Sequence, residues 1–113
     1  MDESDRLRDL YGIIEEFIEK REWDQYHRPK DVAMALSIEA GELMELYLWD
    51  REPEREDLED EVGDIFFFLL DFCIREGIDP EKALRRKMEK NREKYPIDLV
   101  KGKDHKYTRY QEG

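Results

Sequence analysis

A single cysteine stands among the 113 residues, so no internal disulfide can brace the fold. That residue, Cys73, lies in the apolar run from Ile65 to Ile74, where a free thiol acts as a small hydrophobe, and it is assigned to the core. No apolar stretch approaches the roughly 20 residues that span a bilayer, and no basic-then-apolar signal opens the chain. Membrane partners are therefore not expected, and a cytoplasmic location is. Basic charge is also short. Twenty Lys and Arg against 31 Asp and Glu give a formal net charge of -11, the wrong sign for neutralising phosphates along a nucleic acid. A polyanion can still be approached through a metal ion. Period-two alternation and internal repeats are both missing, which argues against a sheet and against a solenoid.

What is present is charge and helical periodicity. Hydrophobic residues make up 39% of the chain and charged ones 45%, so the interior is thin and suits helices packed in pairs, completed by another copy of the chain. Leu7, Leu10, Ile13, Ile14, Phe17 and Ile18 recur at helical spacing and predict a first helix over about 4–22, with Ser4 as its N-cap. Trp23 to Lys30 reads as a loop, with Asp31 as a cap for a second helix over Ala33–Trp49. Arg51 to Glu54 reads as a polar turn, and Glu56–Glu76 as a third helix closed by Gly77. Asp79 and Pro80 open a fourth helix that Pro96 ends. Residues 97–113 carry little apolar pattern and are expected to form an extended tail. The expected architecture is all-α, a four-helix bundle in which the short turn makes helices two and three antiparallel neighbours.

Among so many acids, position on a helix separates the unusual from the solvated. At about 100° per residue, Leu36, Ala40, Leu43 and Tyr47 form one stripe of the second helix. Glu39 falls inside that apolar arc and Glu42 at its border. On the third helix the stripe is Leu58, Val62, Ile65, Leu69 and Phe72, with Glu61 inside the arc and Asp64 at its border. An ionised carboxylate in such a place needs a compensating cation. Neither arc offers Lys or Arg, although Lys87, Lys90, Arg92 and Lys94 of the fourth helix are possible partners. Oxygen-only ligands point to a hard divalent ion, Mg²⁺ or Mn²⁺. A di-iron carboxylate site would want Glu-x-x-His pairs, and neither helix contains a histidine.

The run Ser37–Trp49, with Glu-Ala-Gly-Glu at its centre, followed by Glu-Asp-Glu-Val-Gly-Asp-Ile over residues 59–65, resembles the MazG-like all-alpha nucleoside triphosphate pyrophosphohydrolases. Trp23–Lys30, Lys87–Pro96 and the tail Lys106-Tyr107-Thr108 resemble the dCTP pyrophosphatase branch in particular. The resemblance covers most of the chain from about residue 17. It implies that Glu39, Glu42, Glu61 and Asp64 hold Mg²⁺ and carry the catalysis. It also implies that Lys87, Asn91 and Tyr95 face the phosphates and sugar, that Trp23 and Trp49 enclose the base, and that the chain forms a homotetramer, as a dimer of dimers, or a homodimer. His27, in the loop beside Pro29, is a further candidate for contact with phosphate. Two positions depart from that branch: Ile14 replaces a histidine and Phe68 a tyrosine, both expected near the base.

The expected reaction is in-line attack of water on the α-phosphorus of a nucleoside triphosphate, dCTP or a modified dCTP first, with pyrophosphate leaving and Lys87 offsetting phosphate charge. Two alternatives come from other directions. Phosphoribosyl-ATP pyrophosphohydrolases share the acidic helices but are disfavoured by the two tryptophans and the Lys-Tyr-Thr tail. A helical interaction module whose acids serve only solubility is disfavoured by the in-arc placement of Glu39 and Glu61.

Overall fold

The computed structural model describes residues 3–49 and 52–102, and among these every regular element is helical. The order is α1 (Glu3–Lys20), a 3-10 turn at Asp24–Tyr26, α2 (Pro29–Glu45), α3 (Arg55–Glu76), α4 (Pro80–Lys94) and the short α5 (Ile97–Val100). Two compact units meet in sequence between Ile78 and Asp79. No helix among the described residues is long and apolar enough to cross a membrane.

In the first unit α2 and α3 run antiparallel, so His27 just ahead of α2 reaches Asp71 near the end of α3. α1 packs on α3, where Ile14, Ile18 and Leu70 form a buried cluster flanked by Leu7, Leu10, Tyr11, Phe67 and Ile74. Cys73 is buried as expected. The expected apolar stripe of α3 is only partly used. Val62 and Leu69 are exposed, while Leu70, Asp71 and Cys73 are the buried residues. The run Ile65–Ile74 is apolar nearly all round, and periodicity alone cannot choose which face α1 covers.

Helix ends correct several expectations. α2 starts at Pro29, with Arg28 in extended backbone at the N-cap, because a proline at the first helical position needs no N–H partner and presets φ. Asp31 therefore sits within the first turn, paired with Arg28 at 2.9 Å, and caps nothing. At the other end α2 closes at Glu45, and Leu46, Tyr47 and Leu48 continue only as tighter turns bonded three residues back. Ser4 lies inside α1, which begins at Glu3. Residues 97–100 are helical where an extended tail was expected, and the tail's Lys106-Tyr107-Thr108 lies outside the described residues. In the second unit Asp79 caps α4 as foreseen, accepting from the N–H groups of Glu81 and Lys82 at 3.0 and 3.2 Å.

α1 and α3 end on the same hydrogen-bond pattern. Trp23 N–H donates to Ile18 and Glu22 N–H to Glu19, while Ile78 N–H donates to Cys73 and Gly77 N–H to Ile74. Both motifs need a left-handed residue, which is Gly77 at φ 66° in one and Glu22 at φ 54° in the other. Only glycine takes that conformation without steric cost. Gly77→Ala should therefore lower stability by about 1–2 kcal/mol, whereas Glu22→Gly should raise it by about 0.5–1 kcal/mol. Paired urea denaturations check both, and equal effects at the two sites would contradict the account.

Candidate functional site

The antiparallel pairing of α2 and α3 brings three of the four singled-out acids together. Ligand oxygens of Glu39, Glu61 and Asp64 lie within 4.8 Å of one another. Glu39 and Glu61 are half-buried, Asp64 is exposed, and Glu42 is half-buried one turn along α2, outside the trio but close enough to act on it. One oxygen of Glu39 and one of Glu61 are buried with no hydrogen-bond partner. Carboxylates accept hydrogen bonds and donate none when ionised, so facing each other they can be satisfied only by a shared proton or a cation. Burial first, then the neighbouring acids Glu61, Glu42 and Asp64, push the Glu39 carboxyl up from 4.5 to about 7. Glu61 is also raised, again mainly by burial, with the charges of Glu42 and Asp64 adding to it. No ion pair between described residues reaches the cluster. Its donor set fits a hard divalent cation with several oxygen ligands.

The acids open onto a cleft of about 370 Å³, whose lining comprises Glu39, Asp64, Ile13, Ile14, Phe17, Trp23, Phe67 and Phe68. The two positions flagged in the sequence, Ile14 and Phe68, both lie on it. Trp23 is fixed immediately after α1 by the bond of its N–H to Ile18, and its ring meets Phe17 edge-on at 5.7 Å. Phe67 stands edge-on to Phe17 at 5.9 Å and to Phe68 at 5.0 Å. Such an aromatic wall can take a flat ring by stacking or by edge contact.

The remaining candidates are placed differently. His27 stacks on Trp23 and bonds to Asp71. Trp49 is exposed and lines a separate cleft of about 310 Å³ with Glu45, Pro53 and Asp57, so it does not share a wall with Trp23 in this chain. Lys87 and Asn91 lie four residues apart on one side of α4, and Tyr95 follows at the C-cap, just past the last helical residue. There Lys94, then Lys90, pushes the Lys87 ammonium down, the mark of a crowded cationic face. Sequence reasoning missed Asp71 and Arg75. A lone acid inside the apolar run Ile65–Ile74, with an arginine four residues on, was the available signal. They also line the larger cleft of the first unit, about 630 Å³, where Arg75 pairs with both Asp24 and Asp71.

A family model of the MazG-like family matches residues 34–109, the stretch that carries all four acids. The chain belongs to the MazG-like family. It is 37% identical to dCTP pyrophosphatase 1 of Rattus norvegicus over 112 residues, 90% of this chain and 66% of that protein. With dCTP pyrophosphatase 1 of Homo sapiens the identity is 35% over 117 residues, 95% of this chain and 69% of that protein. The chain thus spans about two thirds of the length of the curated relatives it matches. A crystal structure of a pyrophosphatase from Archaeoglobus fulgidus superposes with a TM-score of 0.76 at 37% identity, covering 80% of this chain and 93% of that one.

The raised Glu39 carboxyl gives a pH prediction for this MazG-like chain. Between 4.5 and about 7 the folded state binds a proton that the unfolded state has released, so metal-free stability should fall as pH rises through that window. Stabilisation by a divalent cation, which displaces the proton, should grow over the same window. Thermal melts with chelator and with Mg²⁺, on wild type and Glu39→Gln, check this. The substitution should flatten the chelator profile, and a wild-type profile that is already flat would refute the assignment.

Proposed function

We propose that the chain hydrolyses nucleoside triphosphates to the monophosphate and pyrophosphate, using Mg²⁺, or Mn²⁺ in its place, held by Glu39, Glu42, Glu61 and Asp64. The observation that carries this reading is the pair of buried, partnerless oxygens on Glu39 and Glu61, beside a ring-sized aromatic cleft. The relatives' names add the substrate class, and dCTP or a modified dCTP is the first candidate. The setting would be the cytoplasmic nucleotide pool, cleared of unwanted triphosphates.

The cation, when bound, offsets phosphate charge and stabilises the leaving pyrophosphate. The protein's own groups do the rest. The aromatic wall around Trp23 seats the base and thereby sets the α-phosphorus beside the acids. Asp64, the exposed member of the trio, or Glu42, just outside it, accepts the proton of a water aligned for in-line attack. As the new P–O bond forms on the α-phosphorus, the bond to the bridging oxygen breaks and pyrophosphate departs. Lys87 meets the phosphate charge from α4, with Asn91 and Tyr95 on the sugar and phosphates. Trp49 serves the base from a neighbouring copy.

That arrangement needs more than one unit, and we propose that α4 completes a four-helix bundle within a homodimer or a dimer-of-dimers tetramer. Exposed Met34 and Ile38 on α2, with Val62, Phe66 and Leu69 on α3, leave apolar surface that a further helix or copy would cover.

Pyrophosphate release from a panel of ribo- and deoxyribonucleoside triphosphates, with Mg²⁺ and with chelator, tests the reading. Glu39→Ala should lower kcat/KM at least about 100-fold, the scale of losing a group that stabilises developing charge. Because Ile14 and Phe68 put no hydrogen-bonding group on the base, the pyrimidine deoxynucleotides should fall within about tenfold of one another. Silence across the panel, or full turnover by Glu39→Ala, would end the proposal.

A further inference from the structure

The first unit buries one more carboxylate, well away from the acid cluster along α3. Asp71 is 1% exposed, and both its oxygens are engaged. Oδ2 lies 2.7 Å from His27 Nδ1, and Oδ1 accepts from Arg75 Nε at 3.1 Å. A terminal nitrogen of Arg75 then donates to Asp24 Oδ1 at 2.7 Å. Asp24 opens the 3-10 turn that follows Trp23, and His27 closes it. The network therefore ties both ends of that turn to the last turns of α3.

Stability alone is a poor account of Asp71, because replacing a buried ionic network by apolar groups of similar volume is often neutral or stabilising. What the network does fix is the plane of a ring. With Nδ1 committed to Asp71, the His27 imidazole stands 15° from parallel to Trp23 and 27° from parallel to Phe68, at 6.5 Å from each. Both of those rings line the cleft beside Glu39 and Asp64. His27 backs the aromatic wall, and Asp71 holds His27.

The geometry points to Asp71 as a positioning residue for that wall: acting through His27, it sets the planes on which a nucleobase stacks, without itself touching substrate. The assignment rests on the triphosphate reading above for the identity of the ligand, and on the first unit alone for the network. Stacking depends on a flat partner held at a fixed angle, so loosening His27 should weaken base binding and leave the phosphate chemistry intact.

The test compares a pyrimidine deoxynucleoside triphosphate with deoxyribose 5′-triphosphate, which lacks the base. Asp71→Asn should raise KM for the nucleotide about tenfold, while kcat and the KM of the base-free compound stay within about twofold. Equal losses on both substrates, the signature of a merely structural role, would overturn the assignment, and so would no loss on either. Because Asp71 is buried and its replacement can unfold the chain, Asp24→Ala supplies a second arm at the surface. It frees Arg75 from the turn and should shift the KM ratio in the same direction by about threefold. If Asp71→Asn does not fold, an unchanged ratio in Asp24→Ala overturns the assignment. Should the wild type turn over neither compound, the triphosphate reading fails separately. Trp23 then decides: in a Trp49→Phe background, acrylamide quenching of Trp23 should rise with Asp71→Asn, and unchanged quenching overturns the positioning role.

Discussion

Two half-buried carboxylates facing each other between antiparallel helices are the constraint around which this chain is arranged. Glu39 on α2 and Glu61 on α3 cannot both be ionised in place without something cationic between or beside them, and the nearest further charges, Glu42 and Asp64, repel rather than relieve. A proton satisfies the pair near neutrality, and a divalent ion would satisfy it better because such an ion takes several oxygen ligands at once. The helix pair therefore works against its own electrostatics until a ligand arrives. That opposition has to be held by packing, and the packing available is the rest of the α2–α3 contact, with Val32 buried on α2, together with the contact of α1 with the far half of α3.

This division explains why α3 is the longest helix described and why it is apolar on more than one side. Its first half carries Glu61 and Asp64, and its second half carries Leu70 and Cys73 into the core. Between them Phe67 serves two surfaces, flanking the buried cluster of Ile14, Ile18 and Leu70 and lining the cleft. Core and cleft share a side chain, so the position of α1 fixes the floor on which a base would rest. The cost is a small interior. Apolar groups such as Ile38, Val62 and Phe66 remain outside it, which is why the proposed function includes association.

Much of this was legible in the sequence, and the limits have physical causes. The acids were found because a helix turns about 100° per residue, so local spacing alone places Glu39 and Glu61 in apolar arcs. Gly77 and Asp79 were readable because end motifs are local as well. The start of α2 was misread because Asp31 is a good capping type, but Pro29 lies earlier and sets the backbone first. Which face of α3 α1 would cover was not legible, since an all-round apolar run gives periodicity nothing to choose between. Asp71 was missed for a related reason: its meaning depends on His27, 44 residues away in sequence, and no local pattern announces such a partner.

Departures from local rules collect around one place. Glu22 adopts a left-handed conformation that glycine holds at the end of α3, Asp71 is an acid inside a core, and Glu39 and Glu61 bury oxygens without partners. The left-handed Glu22 and the two unpartnered oxygens lower the stability of the chain taken by itself, and all four residues touch the cleft or the segment that presents Trp23 to it. At Gly77 the same helix-ending motif is built from the residue the backbone prefers. A chain that meets local requirements at one helix end and tolerates conflict at the other is spending stability selectively, and such conflicts persist where a ligand or a reaction gives something back. Glu39 lines the aromatic cleft with Trp23, while Glu22, which precedes Trp23, and Asp71, which bonds to His27, line the larger cleft of the same unit. Strain, buried charge and unsatisfied oxygens thus gather about the Trp23 segment and support the proposed site on physical grounds that do not depend on kinship with any other protein.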